Sequence, residues 1–247
     1  MRIVIWNCMN GMGNPKQIDY FNNLKADIAI LPELKHKNIE ALNATDAIWM
    51  TNNHENAVPK GLGVLGFNGW KLDLLDFDKD MELYIPVQVS SECFSFNLLA
   101  VWNFYFECKQ GRFKGAKGDQ QLEWAAIARY SEQLQGPCLF AGDWNLGPTF
   151  SQKNFVRISE MLETKGLNSL YHKFYKLDIE DSKHSTFRTP TKKYHHLDHF
   201  FGSKEFSEGM LNYEIPNVDE AILSDHSPII LDVDLSRFGQ RELTQVQ

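Results

Sequence analysis

The chain contains no apolar run approaching the roughly 18 residues that a membrane-spanning helix needs, so no part of it is expected to cross a bilayer. Cysteine is scarce as well. Cys8, Cys93, Cys108 and Cys138 lie far apart and form no CxxC pair, a spacing that argues against a cysteine-built zinc site. Three of them adjoin apolar segments and are read as buried, reduced thiols, which makes the cytoplasm the expected compartment. The first residues have neither a basic lead-in nor a small-residue cleavage site, so a secretory signal is not expected. Positive charge is in deficit: 25 Lys and Arg stand against 32 Asp and Glu, a formal charge of −7. That balance argues against a protein whose whole surface grips nucleic acid. It leaves a nuclease open, because acids gathered around a divalent cation reverse the local sign. Internal repeats, low-complexity linkers and breaks in composition are missing too. One domain over residues 1–235 with a polar tail at 236–247 is the economical organisation.

What is present is apolar and aromatic. Seventeen Phe and six Trp suit a core between two sheets. Apolar runs predict strands at 2–6 and 27–31, the second ending at Pro32-Glu33, with Asn14-Pro15 starting a helix between them. Further strand signals fall at 48–50, 63–67, 83–89 and 94–102, punctuated by Gly, Pro, Asn and Asp. The pattern over 119–134 predicts a helix stopped by Gly136-Pro137. A buried strand follows at 138–141, then a helix at 155–165, then strands at 186–187, 197–201, 210–215 and 229–233. Many strands interleaved with a few helices predict an α/β protein with a two-layer sheet core and helices outside.

The unusual polar residues share one placement, the ends of strands. Asn7 follows the first strand and Glu33 the second. Asp143 and Asn145 follow the strand at 138–141, and Asp225-His226 precedes the strand at 229–233. Each has an ordinary explanation alone: a turn cap for Asn7, a solvated helix start for Glu33, a Gly-Asp turn, an Asx-turn. Together they place carboxylates and amides where they can converge on one rim of a sheet.

The ordered blocks Trp6-Asn7, Leu31-Pro32-Glu33, Gly142-Asp143-Trp144-Asn145, Leu197-Asp198-His199-Phe200-Phe201 and Ser224-Asp225-His226-Ser227-Pro228 resemble the endonuclease/exonuclease/phosphatase superfamily. That group includes DNase I-like and exonuclease III-like nucleases, inositol polyphosphate phosphatases and neutral sphingomyelinases. The blocks span residues 6 to 228, and Gly61-Leu62-Gly63-Val64 looks like the family's glycine-led strand between the second and third. The third and fifth blocks are specific; the first two are weak alone. The resemblance implies a four-layer α-β-β-α sandwich of two packed mixed sheets with helices on both outer faces. It also implies roles. Glu33 would be the principal ligand of Mg²⁺ or Mn²⁺, helped by Asn7 and Asp225. Asp143 would orient or deprotonate the attacking water, and Asn145 would hold a phosphate oxygen. His226 would face the phosphate, with Asp198 on its other ring nitrogen. These roles suit the chemistry: a phosphodiester repels hydroxide, so hydrolysis calls for a hard cation on oxygen ligands and a carboxylate beside the water.

The sequence departs from the family at one strand end. Many members carry a second histidine where this chain reads Val101-Trp102-Asn103. Trp102 would pack or stack against a substrate group, or Asn103 would supply the hydrogen bond, or the chain is a weakly active or non-catalytic binding protein on this fold. Indole donates one hydrogen bond but cannot shuttle protons. Lys109, Arg112, Lys114 and Lys117 form a basic loop in which Lys109 and Arg112 are candidates for phosphate contacts, and Arg188, Lys192 and Lys193, which precede Asp198, are candidates to line the same rim. His195 and His199 are read as solvated or packed, on the strand face opposite His196 and Asp198. The leading expectation is a metal-dependent phosphodiester hydrolase acting on nucleic acid, as an endo- or exonuclease. The alternative is a phosphatase or phosphodiesterase for a small molecule or lipid headgroup. Oligomeric state is not legible.

Overall fold

Side-chain alternation along three strands decides the architecture. In β1 (Arg2–Ile5), β2 (Ile28–Lys35) and β4 (Lys60–Gly66), the residues Ile3, Ile5, Ile28, Ile30, Leu62 and Val64 point into one core. Val4, Ala29, Leu31 and Leu65 point into another. Strands apolar on both faces must be covered on both. In the computed structural model, which describes residues 1–9, 11–51, 60–81, 83–103, 111–116, 121–217 and 223–238, a second sheet covers one face and a helix the other.

The first sheet adds β3 (Asp46–Thr51), β13 (Met210–Glu214) and β14 (Ile229–Val233), in the order β13-β14-β1-β2-β4-β3. The second runs β5-β6-β7-β8-β12-β9, built from β5 (Lys71–Leu74), β6 (Tyr84–Ser90), β7 (Ser95–Trp102), β8 (Cys138–Asp143), β12 (Asp198–Gly202) and β9 (Asn168–Ser169). A small hairpin, β10 (Phe187–Arg188) with β11 (Tyr194–His195), stands apart from both. Helix α1 (Pro15–Leu24) starts at Asn14, whose side chain accepts from the Lys16 amide, and buries Phe21 and Leu24 against the outer face of the first sheet. Helices α2 (Glu123–Gln133), α3 (Gln152–Thr164) and α4 (Leu170–Tyr175) place Ile127, Tyr130, Phe155, Leu162 and Tyr171 against the second sheet. A further short helix, α5 (Lys204–Gly209), packs beside β12. The result is the four-layer α-β-β-α sandwich with two mixed sheets.

Topology gathers the polar strand ends. β1 and β2 are parallel, so Asn7 and Glu33 leave at the same end. β14 is antiparallel to β1 with Ile5 opposite Ile229, so Asp225 and His226 enter at that end too. In the second sheet β7 and β8 are parallel with Trp102 beside Asp143, and antiparallel β12 puts Asp198 opposite Asp143. Because β1 and β2 pack on β7 and β8, both sets open on one rim.

Several elements differ from the sequence expectation. β2 does not stop at Pro32-Glu33. It continues to Lys35 past a bulge, since Leu31 pairs with Gly63 while Leu34 pairs with Gly61. The extra residue throws Glu33 into the left-handed region at φ 63°. β5, β9, β11, α4 and α5 escape the sequence patterns because each is too short to display a period. The expected start of the helix near Asp119 lies outside the described residues, as do Cys108, Lys109, Lys117 and positions 239–247 of the tail. Among the described residues, no helix is long and apolar enough to cross a membrane.

Candidate active site

The rim is built by the residues that end β1, β2 and β8 and begin β12 and β14. Asn7 joins the sheets: its Nδ2 donates to Asp143 Oδ2 at 2.9 Å and to Glu33 Oε1 at 3.4 Å, while its Oδ1 accepts from the Met9 amide at 3.0 Å. Asn7 therefore turns an N–H, rather than its oxygen, toward both carboxylates. Ser224 clamps the β14 approach, donating to the Asn7 carbonyl at 2.7 Å and accepting from the His226 amide at 3.1 Å. The buried indole of Trp6 donates to the His226 carbonyl at 2.8 Å. Sequence reasoning assigned neither Trp6 nor Ser224 a part.

Gly142 makes the approach to Asp143 possible. At φ 149° a Cβ there would stand 1.8 Å from the Val101 carbonyl oxygen, so no larger residue fits between β8 and β7. Asp143 is buried and accepts the Asn145 amide at 3.0 Å on Oδ1 and the Asn145 side chain at 3.2 Å on Oδ2. Asn145, at φ 51°, also donates to the Asn103 carbonyl at 2.6 Å. Asn103 is fully buried and sends its own amide to the Trp144 carbonyl at 3.0 Å. It braces the Gly-Asp-Trp-Asn turn from beneath. Burial, reinforced by the nearby Asp198 charge, pushes the Asp143 carboxyl up to about 7, against the opposing pull of His226 and the amides.

His226 and Asp198 form a buried pair, Nδ1 to Oδ2 at 2.8 Å. Burial alone would strip the ring of its proton. Asp198, with Asp143 and Asp225 behind it, outweighs that and raises the imidazole to about 10. The ring is thus an imidazolium at neutral pH, with Nε2 left as its remaining donor, and Phe187 packs on it at 4.7 Å. Asp198 Oδ1 is buried with no hydrogen-bond partner among the described residues.

Among the described residues, Asp143, Asp198 and His226 are the one group of acidic, histidine or cysteine side chains with ligand atoms all within 4.8 Å, close enough to hold a metal ion. Glu33 and Asp225 stand outside that trio. Glu33 is tied to Asn7 and, through Oε2, to the ammonium of Lys60. Asp225 accepts from Ser224 Oγ at 3.5 Å, and its carbonyl accepts the Arg188 amide at 2.9 Å. Trp102, half-buried, packs on the core beside Asp143. Arg112 is elsewhere engaged: its guanidinium pairs with Asp78 and lies 4.9 Å from the Phe113 ring. The sequence patterns assign Lys60 no part, although it directly precedes the glycine-led strand. His199 is buried against Phe155 at 4.7 Å and His196 against Tyr171 at 4.2 Å, so both are packing residues, while His195 sits over Phe150 at 5.2 Å. Cys8 and Cys138 are buried free thiols and Cys93 is exposed.

No family model and no curated protein matches the chain. Solved structures do. The endonuclease domain of TRAS1, a telomere-specific non-LTR retrotransposon, superposes with a TM-score of 0.66 at 14% identity, over 95% of this chain and 98% of that one. An AP endonuclease from Archaeoglobus fulgidus gives 0.65 at 12% identity, covering 95% and 99%. An endonuclease/exonuclease/phosphatase family protein from Leptotrichia buccalis gives 0.63 at 13% identity, covering 95% and 99%. Five ordered sequence blocks and a sandwich shared across nearly the whole chain agree, and the fold is that of the endonuclease/exonuclease/phosphatase structures.

Proposed function

We propose that the chain is a divalent-metal-dependent phosphoesterase that hydrolyses phosphodiesters of nucleic acid. One observation carries the reading: a buried Asp143, held by two asparagine amides, stands beside a charged His226–Asp198 pair. Two buried carboxylates with opposite assignments suit acid–base work on a phosphate. Asp198 spends its charge on the imidazolium. Asp143, raised to about 7, is poised to take a proton from water near neutral pH. The His226 imidazolium is suited to donate to a phosphate oxygen, while Asn145, whose amide donates to Asp143 and Asn103, holds the carboxylate in place.

The donor chemistry fits a hard cation. Glu33 and Asp225 offer oxygen, and Glu33 already carries a positive group in the ammonium of Lys60; Asn7 would offer its Oδ1 only after its amide turns over, since here Nδ2 faces Glu33. Although the Asp143–Asp198–His226 trio is tight enough for an ion, Nδ1 and Oδ2 are engaged with each other, so we assign the metal to Glu33 and Asp225, with Asn7 a ligand only in the flipped amide orientation. A Mg²⁺ or Mn²⁺ ion there would supply neutralisation of phosphate charge. Nucleic acid is favoured because the named neighbours with this architecture include two endonucleases. The basic residues Arg188, Lys192 and Lys193 also lie on or beside the hairpin that packs Phe187 on His226.

The test is a panel of plasmid, linear duplex, single-stranded DNA, RNA, nucleotides, inositol phosphates and phosphocholine esters with Mg²⁺ or Mn²⁺, comparing wild type with Asp143→Asn. Cleavage of a nucleic acid that the variant loses supports the reading. Turnover of small phosphoesters alone replaces nucleic acid with the small-molecule alternative. No turnover of any member leaves a binding protein on this fold.

A further inference from the structure

Lys60 is the first residue of β4, placed opposite Lys35 at the far end of the bulged β2–β4 ladder. From there its side chain crosses to the rim. The ammonium bonds both Glu33 Oε2 and the Met9 carbonyl oxygen. Those partners are not accidental neighbours. The bulge that throws Glu33 to φ 63° turns its carboxylate toward Lys60, and Met9, at φ 43°, presents its carbonyl from the turn after β1. Asn7 Nδ2 takes the other Glu33 oxygen, so a positive group and a donor occupy both sides of this carboxylate. The pair is only partly buried: the Lys60 side chain is 36% exposed and that of Glu33 23%, so the ammonium can swing into solvent without a large desolvation change.

We infer that Lys60 is a tethered cation that competes with the divalent metal for Glu33, so that metal affinity is set by the displacement of this ammonium. The inference rests on the assignment of Glu33 as metal ligand. A carboxylate oxygen that accepts from an ammonium has less charge to offer a second cation, and two positive groups on one carboxylate repel. Loading therefore requires Lys60 to leave Oε2. The same pair gives Glu33 a counter-ion when the metal is absent.

Mn²⁺ alone is the probe, followed by isothermal titration and by the loss of the free-ion spin-resonance signal, neither of which needs turnover. Lys60→Met keeps the aliphatic stem and removes the charge. It should bind Mn²⁺ roughly two- to fivefold more tightly than wild type, the range expected for releasing a half-exposed ion pair. Lys60→Arg, which keeps the charge, should stay near wild type. Equal or weaker binding by Lys60→Met overturns the proposal, as does equal tightening by Lys60→Arg. Glu33→Gln separates this from the reading beneath it. If it binds Mn²⁺ as well as wild type, the ion is not on Glu33, and both the ligand assignment and the competition fall. If Glu33→Gln loses binding while Lys60→Met is unchanged, only the competition falls.

Discussion

His226 and His196 are both buried, yet they hold opposite charge at neutral pH. Burial lowers both. His226 has a carboxylate at 2.8 Å, with Asp143 and Asp225 behind it, and ends raised to about 10. His196 has a carbonyl at 3.1 Å, that of His184, and the rings of His172, His184, His199 and Tyr171 around it. It is lowered to about 3, and His199, stacked on Phe155, is held well below its ordinary value as well. His172, which bonds Ser169 and the Asp181 carbonyl, is lowered by burial. A buried imidazole becomes a charged instrument only where a carboxylate is committed to it. Otherwise it is a polar aromatic that packs and donates one hydrogen bond. Both kinds occur within the segment 196–199 and its partner His226, so proximity to the rim does not decide between them.

Asp198→Asn attacks that contrast at its strongest point. The amide preserves the shape of the pair but removes the charge, leaving burial as the dominant influence on the ring. His226 should then lose its proton near neutrality, and hydrolysis should fall about 10²–10⁴-fold, the usual worth of an acid–base group. Proton resonance of the imidazole across a pH titration checks the first, and rate measurements the second. A ring that still holds its proton well into the alkaline range in Asp198→Asn would show that Asp198 is not what charges it.

Acid should expose the other group next. A neutral His196 contributes stability that is fully present above its unfolded value of 6.5 and is lost as pH falls toward about 3. His226 has the opposite sign: its contribution is fully present below 6.5 and is lost as pH rises through about 10. Denaturant unfolding at about pH 7.5 and about pH 5 reads a sum in which the packed histidines lose stability in acid while the raised His226 and Asp143 at the rim gain it, so the comparison of variants isolates the histidine share. His196→Phe should start less stable by about 1 kcal/mol, for the hydrogen bond to the His184 carbonyl, and lose less on acidification. An acid limb as steep as wild type in that variant would move the sensitivity elsewhere.

How much of this was legible beforehand follows the same physics. Strand ends could be read because an apolar run stops abruptly at Asn7, Asp143 or Asp225-His226, and the Asp198–His226 partnership could be read through the family blocks. The bulge at Glu33 could not, because a bulge is set by pairing with Gly61 and Gly63 on another strand. Lys60 was invisible for the same reason: its reach to Glu33 depends on register across the first sheet. Asn103 reads in the sequence as a hydrogen-bond donor beside Trp102, and only the turn packed over it shows that its amide donates to the Trp144 carbonyl. The helices α4 and α5, each of six residues, carry too little pattern to separate from loop.

Trp6→Phe probes how far the charged pair depends on its backbone support. The substitution keeps most of the buried volume and removes the N–H that satisfies the His226 carbonyl. That carbonyl would be left without its donor, costing about 1–3 kcal/mol of stability. Activity should fall less than in Asp198→Asn, since Asp198 still orients and charges the ring. Thermal unfolding and rate measurements on the two variants rank them, and a Trp6→Phe loss equal to that of Asp198→Asn would mean that backbone position outweighs the carboxylate.

Arg112→Ala should have the smallest effect, and it separates the sequence-level assignment from the structural one. A guanidinium near a phosphate and one paired with a carboxylate look alike in sequence. In the fold, Arg112 is more than half exposed, pairs with Asp78 across 34 positions and rests on Phe113. Arg129, 4.0 Å from the same Asp78 carboxylate, remains to neutralise it after the change. Stability should therefore shift by less than about 1 kcal/mol, and hydrolysis of a nucleic-acid substrate should stay within about twofold of wild type, as for other exposed pairs. A tenfold or larger loss, roughly the cost of a specific charged contact, would mean that the guanidinium leaves Asp78 for the phosphate, and the resting pair would then be a parked state of a binding residue.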